Sequence, residues 1–142
     1  MNFMLMATTA FLTVALYYLA NSFEDAYMRS SRKNAILKFR NNRQKSLSFY
    51  QHVEAYATEY NTWGYNAFAD TDVTFSEFID ALKEKHSIEY SDAEEARIKK
   101  GKLTRAQIDD FTERMAYQEE FITAMESTLQ YKNNGFVKQA TA

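Results

Sequence analysis

Apolar positions along the chain fall into three groups with different spacing. Residues 3–20, FMLMATTAFLTVALYYLA, are apolar with no charge and no strong periodicity. From residue 36 the spacing becomes three and four. Ile36, Phe39, Arg43, Leu47, Tyr50, Val53, Ala57 and Tyr60 trace one face of an amphipathic helix. Arg43 interrupts this stripe, which predicts a narrow packing seam from which the guanidinium reaches out along its aliphatic stem. The third group is Ile108, Phe111, Met115, Gln118, Ile122, Met125 and Leu129, broadened by Phe121. It has the a/d spacing of three heptads, with Gln118 as a polar, register-setting position. Such a seam packs either within the chain or against a partner helix, so these seven residues are the candidate partner-binding surface.

Few positions force the chain to turn. There is no proline, and glycine occurs only at 64, 101 and 135, so one helix is expected from the apolar run to about residue 62. The segment TWGYNAFADTD, 62–72, is the best loop, with Trp63, Tyr65 and Phe68 expected to pack back onto the helices. Thr74 with Glu77, Ser91 with Glu94 and Thr104 with Gln107 have the spacing of capping boxes, the last supported by Leu103 and Ile108 as a hydrophobic staple. Gly101 is placed to end the Ser91 helix as a left-handed cap. The last helix is expected over 105–132, ended by Asn133-Asn134-Gly135. The predicted fold is mainly α: one N-terminal transmembrane helix continuing into a long amphipathic helix, two short helices, and one long C-terminal helix, as a small bundle or a coiled-coil hairpin. The corresponding divisions are an anchor over 1–22, a basic neck and amphipathic helix over 23–62, an aromatic loop over 63–73, a helical body over 74–135 and a flexible tail over 136–142.

The apolar run is read as a membrane anchor on length. Eighteen residues rise roughly 27 Å as a helix, against a hydrocarbon thickness of about 30 Å. Thr8, Thr9 and Thr13 are tolerable there because a threonine hydroxyl can bond a carbonyl one turn back. Tyr17, Tyr18, Phe23 and Tyr27 stand where aromatic rings favour the headgroup region. A signal peptide would begin with a basic segment, which is missing, and a buried core helix would show a polar face.

Charge adds a direction. Totals of 17 basic and 19 acidic residues are nearly balanced, but Arg29, Arg32, Lys33, Lys38, Arg40, Arg43 and Lys45 form a run with no acidic residue among them. These seven are the candidate membrane-surface residues, each worth about 1 kcal/mol near an anionic leaflet. Basic residues beside a span stay on the cytoplasmic side, which puts the N-terminus outside and the body in the cytoplasm. The same residues, with Asn41, Asn42 and Gln44, could meet nucleic acid phosphates, and proximity to the anchor favours lipid.

Recognisable reaction chemistry is sparse. The chain has no cysteine, which removes disulfides, thiolate zinc sites and thiol nucleophiles. Asp70-Thr71-Asp72 with Glu77 suggests a calcium loop, but Glu77 falls at the eighth position instead of the twelfth and Phe75 holds the glycine's place. His52 and His86 are far apart, and a carboxylate at ligand spacing follows only His86, as Glu89, with Tyr90 beside it. No phosphate-binding glycine loop or nucleophile elbow occurs. No catalytic residue, metal ligand, cofactor or small-molecule substrate is therefore assigned. The expected function is that of a non-enzymatic, single-pass membrane protein that binds partner proteins or copies of itself as an accessory or scaffold subunit. In having an apolar first half and an amphipathic second half to one long helix, the first 60 residues resemble a pilin. The glutamate in the apolar segment and the basic leader ending in glycine are absent, so the resemblance carries no function across. The alternatives are an extracytoplasmic pilin-like or secreted helical protein, or a soluble helical protein that meets nucleic acid through its neck.

Overall fold

The computed structural model describes the backbone of residues 2–68 and 71–140 and the side chains of residues 12–68 and 71–129. Among the described residues four helices follow in order: α1, Asn2–Glu59; α2, Phe75–Glu89; α3, Asp92–Lys100; and α4, Arg105–Ala140. The chain is mainly helical, and no strand occurs among the described residues.

Local chemistry accounts for the element ends. With no glycine or proline before residue 64, α1 runs on until Asn61 takes a positive φ of 51°. The amides of Asn61 and Thr62 then donate back to the carbonyls of Thr58 and Ala57, a Schellman ending with asparagine in the usual glycine position. Thr74 and Glu77 form a reciprocal capping box at α2, as do Thr104 and Gln107 at α4. Ser91 caps α3 by accepting from the Glu94 amide, but the Glu94 carboxylate turns to Arg97 and Arg114 instead of completing a box.

Gly101 is not left-handed; its φ is −68°. Glycine suits this position for another reason, since a Cβ here would lie 2.3 Å from the carbonyl oxygen of Arg97. At the other end of the chain, the backbone of α4 continues to Ala140 through the Asn133-Asn134-Gly135 sequence expected to stop it. A single helical glycine costs only about 1 kcal/mol relative to alanine, and no proline follows. The backbone of 136–140 is thus part of α4 and not the separate tail expected over 136–142; the side chains from residue 130 on, and residues 141 and 142, lie outside those described.

Contacts along α1 define the topology. From Phe75 beside Tyr56, through Lys83 on Glu54 and His86 on Ser46, to Glu95 on Arg40 and Lys99 near Arg32, α2 and α3 descend antiparallel to α1. They form one leg broken at Tyr90-Ser91. The last helix then climbs parallel to α1: Arg105 stacks over Tyr27, Phe111 meets Phe39, Asn42 reaches Met115, and Lys45 pairs with Glu119. The result is an up-down-up bundle in which α2, α3 and α4 all pack on α1. The α1 stripe and the α4 seam thus meet in parallel, joined by a return leg, and a two-helix hairpin is ruled out.

The core has two storeys. Ala35, Phe39, Tyr90, Ile98, Ile108, Phe111 and Met115 fill the lower one. Phe49, Val53, Ala57, Ala67, Phe75, Phe78, Ile79, Ile122 and Leu129 fill the upper one. Between them Asn42, 1% exposed, donates from Nδ2 to the Met115 carbonyl at 2.6 Å. In the same layer the Tyr90 hydroxyl donates to Gln118 Oε1 at 3.2 Å. Trp63 and Phe68 pack under the upper storey, whereas Tyr65 is 63% exposed and does not pack back as expected.

The buried face of α1 is rotated from the stripe expected over 36–60. Asn42 and Phe49 are buried, while Arg43, Leu47 and Tyr50 flank the seam and Tyr60 is exposed. A small polar side chain that bonds a backbone carbonyl is cheaper to enclose than a guanidinium. Asn42→Ala is accordingly expected to lower unfolding free energy by about 1–3 kcal/mol, and Arg43→Ala by under about 1 kcal/mol. Urea midpoints of the two variants measure this, and the reverse order would return Arg43 to the buried face.

Candidate functional site

The partner-binding candidates on α4 are consumed within the chain. Ile108, Phe111, Met115, Gln118, Ile122 and Leu129 are buried, and Met125 is partly buried against the upper storey. Of the two uses open to this seam, the structure takes the internal one.

The basic neck divides in two. Arg40 donates to Glu95 at 2.8 Å, Arg43 reaches Asp92 at 2.9 Å, and Lys45 pairs with Glu119. These three tie α1 to α3 and α4, and their charges are largely spoken for. Each such pair at a surface is worth roughly 0–1 kcal/mol. Lower on the helix, Arg29 donates to the Asp25 carbonyl and Arg32 to the Lys99 carbonyl, and neither makes an ion pair among the described residues. Lys33 and Lys38 make no ion pair among the described residues. Arg29, Arg32 and Lys33 remain available to an outside anion at the bottom of the bundle.

Below Tyr27, α1 leaves the bundle. Leu12, Val14, Leu16, Tyr17, Tyr18, Leu19 and Phe23 are each between 53% and 72% exposed. At 100° per residue these positions reach every side of the helix, so the apolar surface is a sleeve and not a stripe. No helix among the described residues is long and apolar enough to cross a membrane, and the expected transmembrane helix gains no support from the structure. The described part of the run, 12–20, is about 14 Å of helix; residues 3–11 lie outside the described side chains.

Elsewhere the interior offers little to a ligand. The cavity under Phe49, Val53, Phe75 and Leu129 has a volume of about 10 Å3, room for one water. No group of three His, Asp or Glu side chains able to hold a metal occurs among the described residues. Thr71 and Asp72 sit in a loop closed by the bridge between Asn66 and Thr74, and Glu77 is committed to its cap; Asp70 lies outside the described residues. His86 is half-buried between the rings of Tyr50 and Tyr90, with Nδ1 3.0 Å from Ser46 Oγ. Comparison with known protein families, with characterised proteins and with solved structures finds no match for this chain.

Two sets of groups make the bundle sensitive to acid. Burial, and then Arg43, lower the His86 imidazole from its ordinary value of 6.5. The unfolded chain therefore takes up this proton first, and the stability contributed is full above about pH 6.5 and lost as pH falls toward the folded value. Glu94 is lowered from 4.5 by its hydrogen bonds to Arg97 and then Arg114, Glu95 by Lys99 and Arg40, and Glu119 by Lys45. Their contribution is present above the unfolded value and lost below it. The urea midpoint should thus fall in two stages on acidification, the first beginning near about pH 6.5 and the second near about pH 4.5. His86→Gln should remove the first stage and keep the second; an unchanged first stage in that variant would assign it to another group.

Proposed function

We propose that this chain is a membrane-attached helical protein that acts by binding, as an accessory or scaffold component of a membrane assembly, and not as an enzyme. The observation that carries the proposal is the apolar sleeve on the part of α1 below the bundle. Burying one leucine or valine is worth about 1.5–3 kcal/mol, so a sleeve of such residues requires a covering phase. Lipid covers all sides of a helix, whereas a single partner helix covers one stripe. The absence of charge over residues 3–20 agrees with lipid, as does the position of Arg29, Arg32 and Lys33 one to two turns beyond Tyr27 or closer.

The same basic residues favour a cytoplasmic body with the N-terminus outside. A protein partner then meets the outer surface of the bundle, because the heptad seam of α4 is occupied by α1. Nucleic acid is disfavoured, since Arg40, Arg43 and Lys45 already hold carboxylates.

Membrane fractions give the test. The full chain should stay with the membrane in alkaline carbonate and leave it in detergent. Leu12→Arg, near the middle of the run, should shift the chain toward the carbonate supernatant, since a central arginine opposes insertion by about 2.5–3.5 kcal/mol. Release of the unmodified chain by carbonate would remove the anchor. Protease added to spheroplasts should spare the body, and cleavage there would reverse the topology.

A further inference from the structure

Folding brings a second basic segment to the base of the apolar sleeve. The end of α3, the turn after it and the start of α4 carry Lys99, Lys100, Lys102 and Arg105, about seventy residues along the chain from Arg29. All four are exposed. Their placement is set by two contacts: Arg32 Nη1 donates to the Lys99 carbonyl at 3.4 Å, and the Arg105 guanidinium lies 4.3 Å from the centre of the Tyr27 ring. Lys99 also holds Glu95, and Arg105 is loosely paired with Asp109 at 3.8 Å. Lys100 and Lys102 make no ion pair among the described residues.

The opposite end of the bundle has the opposite sign. Between Gln51 and Leu82 the chain has six acidic residues and no lysine or arginine. Glu54, Glu59, Glu77 and Asp80 of that set lie along the upper ends of α1 and α2. The bundle is therefore polarised along α1, basic where the apolar sleeve leaves it and acidic at the far end.

We infer that Lys99, Lys100, Lys102 and Arg105 join Arg29 and Arg32 in a collar that seats the bundle on a bilayer surface containing anionic phospholipid. The inference rests on insertion of the apolar sleeve in lipid. If the bilayer ends near Ala20, Tyr27 stands roughly 10 Å and Arg32 roughly 18 Å above it along the helix, about one to two Debye lengths at physiological salt. Long basic side chains at that height reach the headgroup phosphates. A shallow groove lined by Asp25, Met28, Arg29 and Arg32 runs along α1 at this level. The carboxylates beside the collar, Glu24, Asp25, Glu95 and Asp109, limit its net charge without reversing it, since they are four against six basic residues. The collar fixes how the bundle stands: with only the neck engaged α1 could lean toward any side and carry the bundle with it, and with the second segment engaged the lower face of the bundle is held to the membrane.

The test uses the full chain reconstituted in vesicles of neutral phosphatidylcholine, or with about 30% phosphatidylglycerol added, where each basic residue gains roughly fivefold in occupancy of the surface. A nitroxide on Ala106→Cys reports proximity to headgroups through relaxation by a nickel-chelating lipid, and one on Ala55→Cys serves as the distant reference. The label at 106 should be relaxed more strongly in the anionic vesicles, and this excess should vanish near about 1 M salt, where the Debye length is about 3 Å. The label at 55 should not respond. Lys100→Gln with Lys102→Gln should lower the docked-to-undocked ratio by roughly 25-fold at low salt. Equal relaxation at 106 in both vesicles, for a chain that floats with both, would overturn the collar and leave the anchor standing. A chain that floats with neither would overturn the anchor and the collar together. Because the lipid comparison is made on the unmodified basic residues, the outcome does not depend on how the double variant folds.

Discussion

Every other helix of this protein buries its apolar face against one face of α1. Ala35 and Phe39 close the lower storey, and Phe49, Val53 and Ala57 close the upper one. Between them stands Asn42, whose amide reaches the Met115 carbonyl. An apolar residue at this level could slide by a turn against α4 at little loss. A buried amide that must find its one carbonyl cannot, since leaving it unsatisfied costs more than the hydrogen bond itself contributes. The pairing of Tyr90 with Gln118 in the same layer adds α2 to the same register. Once α1 and α4 are locked in parallel, α2 and α3 have a single groove to descend.

The ion pairs follow from that packing and do not direct it. Arg40, Arg43 and Lys45 flank the seam, within reach of Glu95, Asp92 and Glu119, and each contributes modestly at a surface. Their larger effect is on charge distribution. They neutralise much of the middle of the bundle, so that among the described residues unpaired positive charge gathers toward the bottom, where the apolar part of α1 begins. Negative charge collects at the top, around the start of α2.

A helix with an apolar sleeve, a basic base and an acidic far end is suited to standing on an anionic surface. The continuity of α1 matters here. With no glycine or proline between the sleeve and the bundle, any orientation the sleeve takes is transmitted to the body as to a rod, since bending a regular helix requires a break in its hydrogen bonds. The aromatic loop, with Trp63 and Phe68 tucked under the upper storey, closes the far end and leaves Tyr65 outside.

Residue types and spacing alone determined much of this. The length of α1 follows from the absence of breakers. The starts of α2 and α4 follow from their capping boxes, and the seam from Ile108 to Leu129 is legible because a heptad pattern is a local property of one helix. Three matters were decided only by tertiary structure. Which of Asn42 and Arg43 is enclosed depends on the atoms facing them on α4, and composition pointed to the wrong neighbour because both fit a three-four spacing. Whether the α4 seam is internal or free depends on the return leg of α2 and α3, whose length brings α4 back parallel to α1. The meeting of Lys99 to Arg105 with Arg29 and Arg32 was invisible in sequence because the two segments are far apart along the chain. Electrostatic fields add in space and not along a backbone, so only the packed bundle makes one basic surface of them.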